Sequence, residues 1–176
     1  MLTPQAIIEL LQLEPLPVEG GHFRQTWIAD EAIPAEALPT RYGRPKPAGT
    51  AIYYLLTGEA DSFSAFHRLP TDEVYHFYLG DPVEQWLLHE GGRVERVLLG
   101  PDLAAGHRVQ HVAPRGVWQG SRLVPGGRVA LLGTTMAPGF DPGDYEGGVR
   151  EALIARYPAA AGVIRALTRV DAAAAT

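Results

Sequence analysis

The sequence predicts a mainly β fold, an antiparallel sandwich or barrel with a short N-terminal helix and C-terminal helices, and three observations carry that prediction. Between Thr50 and Met136 the chain breaks into eight short apolar or alternating runs: TAIYYLLT, DSFSAFHRL, EVYHFYL, VEQWLLH, RVERVLL, HRVQHVA, VWQGSRLV and RVALLGTTM. Gly, Pro and Asp separate them at hairpin spacing, which favours antiparallel pairing over βαβ crossovers. Helical periodicity is confined to the two ends of the chain.

The N-terminal helix follows from Thr3-Pro4, a capping hydroxyl with proline at the first helical position, and from Ile7, Ile8, Leu10 and Leu11 at helical spacing. Pro15 and Pro17 end it. Gly20-Gly21 then turns the chain into HFRQTWI, whose alternation is that of a strand. Residues 30–49, rich in Pro and Ala and carrying Arg41, Arg44 and Lys46, show no period and are expected to form a long surface loop. After the strands, GGVREALIARYPAAAGVIRALTRV returns to helix, with Val149, Leu153 and Ile154 on one stripe, a break at Pro158, and Val163, Ile164 and Leu167 beyond it. No repeat of solenoid or propeller length is present.

The chain's 176 residues suffice for one core, so a single domain over residues 1–170 is expected, with the low-complexity stretch 171–176 as a frayed tail. A formal net charge of −5 argues against a nucleic-acid polymer as partner and leaves small molecules as the expected ligands. There is no cysteine, so a bound metal would need imidazole, carboxylate or amide donors. The opening MLTPQAIIEL has neither a basic segment nor a long apolar run, from which a cytoplasmic protein without membrane attachment is expected.

Chemistry concentrates in His67-Arg-Leu-Pro-Thr-Asp72-Glu73-Val-Tyr-His76. Side chains in a closed β structure alternate inward and outward, and parity sorts the candidates. Phe63, Ala65, His67 and Leu69 share one face before the loop; Glu73, Tyr75 and Phe77 share one after it. An apolar face interrupted once by His and once by Glu describes a pocket with few, placed polar groups. His67 and Glu73 are therefore the expected catalytic pair. Asp72 is expected to cap the loop, and His76 belongs to the opposite face, although it stays among the ligand-binding candidates.

Glu73-x6-Gly80 preceded by His67, and later Pro114-x-Gly116-x2-Gln119, resemble the two signature motifs of the cupin superfamily. In that family His-x-His, Glu and a second-motif His bind a divalent metal. The segments EGGHFRQTW (19–27), TAIYYLL (50–56), FHRLPTDEVYHFYLGDPVE (66–84), VLLGPDL (97–103), VAPRGVWQG (112–120) and APGFDPGDYE (137–146) further resemble the cupin 5 subgroup, formerly domain of unknown function family 985. The likeness runs from about residue 5 to 168. It implies a jelly-roll barrel, or double-stranded β-helix, with a small-molecule pocket, and a homodimer joined by edge strands. The sequence departs from the metal pattern: neither Phe66 nor Leu69 supplies a second His, and position 119 is Gln. A divalent ion would have only His67, Glu73 and Gln119, a poor set, so no cofactor is expected.

Metal-free cupins that this chain resembles include sugar-nucleotide epimerases, in which an inward His removes a proton beside a carbonyl and a Tyr returns one. That implies an isomerase or epimerase acting on a sugar-like or nucleotide-linked substrate. His67 is then the base, Glu73 sets its tautomer or competes with it, and Tyr54 and Tyr75 are the available acids. Arg24 and Arg68 are placed to meet a phosphate or carboxylate, Trp118 to stack on a ligand or pack in the core, and Gln119 to bond Glu73. The alternatives are a non-catalytic module for a nucleotide or sugar, and a metal-dependent oxygenase or hydrolase.

Overall fold

The computed structural model describes residues 2–169. The expected tail, 171–176, lies outside the described residues. Helix α1 (Pro4–Leu11) begins where Thr3 accepts a hydrogen bond from the amide of Ala6 and ends at Gln12 in a left-handed conformation. It is followed by β1 (Glu14–Pro15), β2 (His22–Ile28), β3 (Ala32–Ile33) and β4 (Lys46–Pro47). The eight expected central runs become β5 (Thr50–Thr57), β6 (Ser64–Arg68), β7 (Glu73–Gly80), β8 (Val83–Leu88), β9 (Val94–Leu99), β10 (Gln110–Ala113), β11 (Trp118–Leu123) and β12 (Val129–Met136). A short β13 (Glu146–Gly147) precedes α2 (Arg150–Arg156) and α3 (Ala161–Ala166).

Two antiparallel sheets face each other, in the orders β1-β2-β5-β12-β7-β10 and β13-β6-β11-β8-β9. Their inner faces enclose a core that includes Tyr54, Leu56, Tyr75, Phe77, Leu87 and Leu132. Each sheet also has an outer apolar patch. Helix α1 lays Ile7 against Leu55, Val129 and Leu131 of the first sheet. On the second, Leu153, Tyr157, Ile164 and Leu167 of the C-terminal segment cover Phe66, Leu88 and Trp118. The apolar faces of α1 and of the C-terminal helices thus each have a sheet as partner, the condition for a stable layered domain.

Two details differ from the sequence reading. In β6, residues 64 and 67 oppose 121 and 119 of β11, so one extra residue is accommodated in a bulge. The bulge breaks the parity expected across 63–69: Phe63 joins the outer cluster under the C-terminal helices while His67 turns inward. The stretch 30–49 is not wholly surface either. It contains the β3–β4 pair and folds Tyr42 and Lys46 to 5% and 1% exposure, because Lys46 forms an ion pair with Asp144, 98 residues away. No periodicity announces such a long-range partner.

Candidate functional site

An inner cavity of about 90 Å³ lies at one end of the barrel and shares Leu16, Glu19, Phe23, Gln25, Phe140 and Tyr145 with a wider mouth of about 900 Å³. His67 and Glu73, 1% and 7% exposed, line its polar side, one from each sheet. Strand pairing explains their meeting. Gln119 sits opposite His67 across β11 and β6, while Glu73 opens β7 opposite Met136 of β12.

The His67 ring is held on two sides. Its Nδ1 lies 2.8 Å from the carbonyl oxygen of Ala65, and a carbonyl can only accept, so Nδ1 carries the proton. The ring also stacks on Tyr145, with centroids 5.1 Å apart and planes 19° from parallel. Nε2, left with its lone pair in the neutral ring, is 4.0 Å from Oε2 of Glu73. The tautomer is therefore set by the bulged strand's own backbone, and not by Glu73 as the sequence reading allowed.

Glu73 accepts hydrogen bonds at Oε2 from Nε2 of Gln119 at 2.8 Å and from the Tyr75 hydroxyl at 3.2 Å. Gln119 in turn accepts from Nε2 of Gln85 at 3.3 Å, so an amide chain from the second sheet orients the carboxyl. Burial pushes the Glu73 carboxyl above its ordinary range; His67, Thr134 and Gln119 pull against that shift, and the charge of Glu19 adds to it. Burial likewise raises the hydroxyls of Tyr75, Tyr54 and Tyr145, all of which stay protonated at neutral pH.

The remaining expected residues divide. Tyr75 and Gln119 reach the site through Glu73. Tyr54 does not: its hydroxyl donates to the carbonyl of Gly20 at 3.0 Å, fixing the turn that carries Glu19. Gly20 has φ +106°, and a side chain there would run into Phe63 and Arg169. Arg24 lines the wider mouth but not the inner cavity, with its guanidinium 5.6 Å from the Tyr53 ring centroid and 3.5 Å from the Gln12 side-chain oxygen. Arg68 is outward too, paired through two 2.7 Å bonds with Glu146 and lying 4.7 Å from the centre of the Trp118 ring. Trp118 packs beneath the C-terminal helices, so it is core and not a stacking platform. His76 follows its parity to the outer face, where it contacts Thr135 at 3.1 Å and Gln110 at 3.3 Å. Asp72 does not cap its own loop but accepts from the Arg115 amide at 2.7 Å, tying the loop before β7 to the one between β10 and β11.

The sequence reading missed Glu19, Phe140 and Tyr145, which line both cavity and mouth. They sit in turns and loops, where periodicity is silent. Their signal was present only as membership in the motif segments at 19–27 and 137–146.

The donors His67, Glu73 and Gln119 do not fit a divalent metal. Gln119 turns its N–H toward Glu73 and commits its oxygen to Gln85, leaving one imidazole and one carboxylate. Among the described residues, no group of three or more His, Asp or Glu is arranged to hold an ion. Nor, among those residues, is any helix long and apolar enough to cross a membrane.

Comparison with known proteins follows the same lines. The model of the Cupin_5 family, described as cupin superfamily (DUF985), matches residues 5–147. Protein SO0799 from Shewanella oneidensis is 34% identical, with 96% of this chain and 99% of that one covered and a TM-score of 0.82. A hypothetical protein from Leishmania major is 28% identical over 95% and 99% of the two chains, with a TM-score of 0.84. The uncharacterized protein YML079W of Saccharomyces cerevisiae is 28% identical over 136 residues, which span 72% of this chain and 66% of that relative.

Proposed function

We propose a proton-transfer function for this chain, which belongs to the Cupin_5 family of the cupin superfamily: metal-independent isomerisation or epimerisation of a small, sugar-like carbonyl compound. The carrying observation is the His67 ring, fixed by Ala65 so that the basic Nε2 faces an enclosed cavity beside Glu73. Imidazole is the side chain whose basicity suits proton abstraction near neutral pH.

The step balances within the site. Nε2 takes the proton from a carbon adjacent to the substrate carbonyl, the C–H electron pair forms the carbon–carbon double bond, and the carbonyl oxygen takes the proton of Glu73. The enol then collapses with those transfers reversed, at the same carbon or its neighbour. A carboxyl pushed upward by burial keeps its proton to higher pH than an ordinary one, as this role needs. Tyr145, stacked on His67 at the cavity wall, replaces Tyr54 and Tyr75 as the phenol available to a substrate. The inner cavity admits the reacting end, and the mouth, about 900 Å³, takes the rest of a sugar-sized ligand.

The test is solvent deuterium exchange. A panel of aldoses, ketoses and amino-carbonyl compounds is incubated with the protein in heavy water and followed by proton NMR. Wild type is expected to exchange a carbon-bound proton of at least one compound, and His67→Ala is expected not to. Exchange that survives in His67→Ala would overturn the assignment. A compound that binds in the cavity with no exchange by wild type would favour a non-catalytic binding module.

A further inference from the structure

The inner cavity has two carboxyl groups in its wall, the Glu19 carboxylate and the Glu73 carboxyl that serves as proton donor, with His67 between the sheets and no lysine or arginine among its lining residues. Enclosed charge of one sign is costly unless an opposite charge comes to sit against it. The nearby cations lie outside that inner wall. Arg68 is paired with Glu146, and Arg24 lines the wider mouth beside Tyr53, where Glu14, Glu19 and Asp141 outnumber it. Arg169 donates to the carbonyls of Val18, Glu19 and Asp61 and lies on the face of Phe63, so its charge sits behind the turn that carries Glu19 and not in the cavity wall. Glu19 itself accepts one side-chain bond, from Ser64 at 2.7 Å, which fixes its position without cancelling its charge.

The rest of the wall is aromatic where a ligand must pass. Phe23, Phe140 and Tyr145 line both the cavity and the mouth. Ring faces and carboxylates attract the same guest, an organic cation, through the ring quadrupole and through opposite charge. They repel the phosphate or carboxylate that Arg24 and Arg68 suggested from sequence.

We infer that the ligand carries a protonated amine, held by Glu19 against the rings of Phe23, Phe140 and Tyr145 while its carbonyl end reaches His67 and Glu73. This rests on the proton-transfer reading and names its substrate class: a small amino-carbonyl compound, such as an amino sugar, without phosphate or carboxylate. The ammonium would also acidify the neighbouring C–H, easing the step assigned to His67.

The test uses the full chain and three probes of one shape, benzylamine, benzyl alcohol and benzoate, titrated calorimetrically at pH 7 and low salt. Benzylamine is expected to bind about tenfold more tightly than benzyl alcohol, and benzoate more weakly than either. Glu19→Gln is expected to abolish the amine preference while leaving benzyl alcohol binding and the melting temperature in place. Should that variant melt early, Glu19→Asp serves instead, and it should retain the preference because it retains the charge. Benzoate binding as tightly as benzylamine, or an amine preference untouched in well-folded Glu19→Gln, overturns the inference. The two readings fail separately. His67-dependent exchange in an anionic compound, without amine preference, sinks the ligand class alone; amine binding without exchange in any compound sustains the ligand class and removes the reaction.

Discussion

Leu69 separates two charged regions that are built on opposite plans. On one side is a polar cleft of about 290 Å³ lined by Arg41, Arg44, Arg68, Asp144 and Glu146; on the other is the cavity with Glu19, His67 and Glu73. In the cleft each carboxylate meets a cation. Asp144 is paired with the buried Lys46 and with Arg44 at 3.5 Å, and Glu146 with Arg68 at 2.7 Å. In the cavity the Glu19 carboxylate meets no cation among the lining residues, and aromatic rings take the place of arginines. Matched charge holds the chain together, whereas unmatched charge in an enclosed space is a demand on a ligand.

The largest expected effect lies on the matched side. Lys46→Met leaves the Asp144 carboxylate buried with only Arg44, and should cost about 3 kcal/mol of unfolding free energy in urea titration. Adding Asp144→Leu should recover most of that loss. A single variant as stable as wild type would mean the pair is not the clasp holding the 137–147 segment over the cavity.

On the unmatched side the order inverts, and chemistry should suffer more than folding. His67→Ala is expected to reduce exchange by about 10²- to 10⁴-fold while moving stability by less than about 2 kcal/mol. Loss of folding in step with loss of exchange would make His67 a core residue instead.

Glu73→Gln sharpens the contrast through pH. In the unfolded chain Glu73 releases its proton in the ordinary carboxylate range, and in the folded protein burial delays release to higher pH. Between those two values the folded state binds the extra proton, so wild-type stability falls as pH rises through that window and stays lower above it. Glu73→Gln lacks this loss. Its stability relative to wild type should therefore increase from pH 4.5 to pH 8 in parallel urea titrations, and a constant difference would contradict the burial argument.

Arg68→Ala should show the smallest effect. Its side chain and that of Glu146 are 36% and 53% exposed, and such pairs contribute at most about 1 kcal/mol. A larger loss would show that the Trp118 contact, and not the ion pair, is what Arg68 supplies.

The same contrast explains what could be read from residues alone. The sheets were legible because turn residues and alternation repeat along β5 to β12, and His67, Glu73 and Gln119 were legible because each lies on a strand with a defined parity. Parity failed between Phe63 and His67, where the β6 bulge inserts a residue, and it correctly opposed His76, which remained a candidate only for its chemistry. Glu19, Phe140 and Tyr145 were illegible as site residues because they come from turns, whose side-chain directions are set by distant contacts such as Lys46 with Asp144 and Arg169 with the carbonyls of Val18 and Glu19.

The central claim is the direction of one nitrogen, and nitrogen NMR of ¹⁵N-histidine-labelled protein reads it directly. At a pH where imidazoles are neutral, His67 should show a protonated Nδ1 and an unprotonated Nε2, with the Nε2 resonance shifting when benzylamine is added. A protonated Nε2, or a ring indifferent to every compound that enters the cavity, would contradict the account.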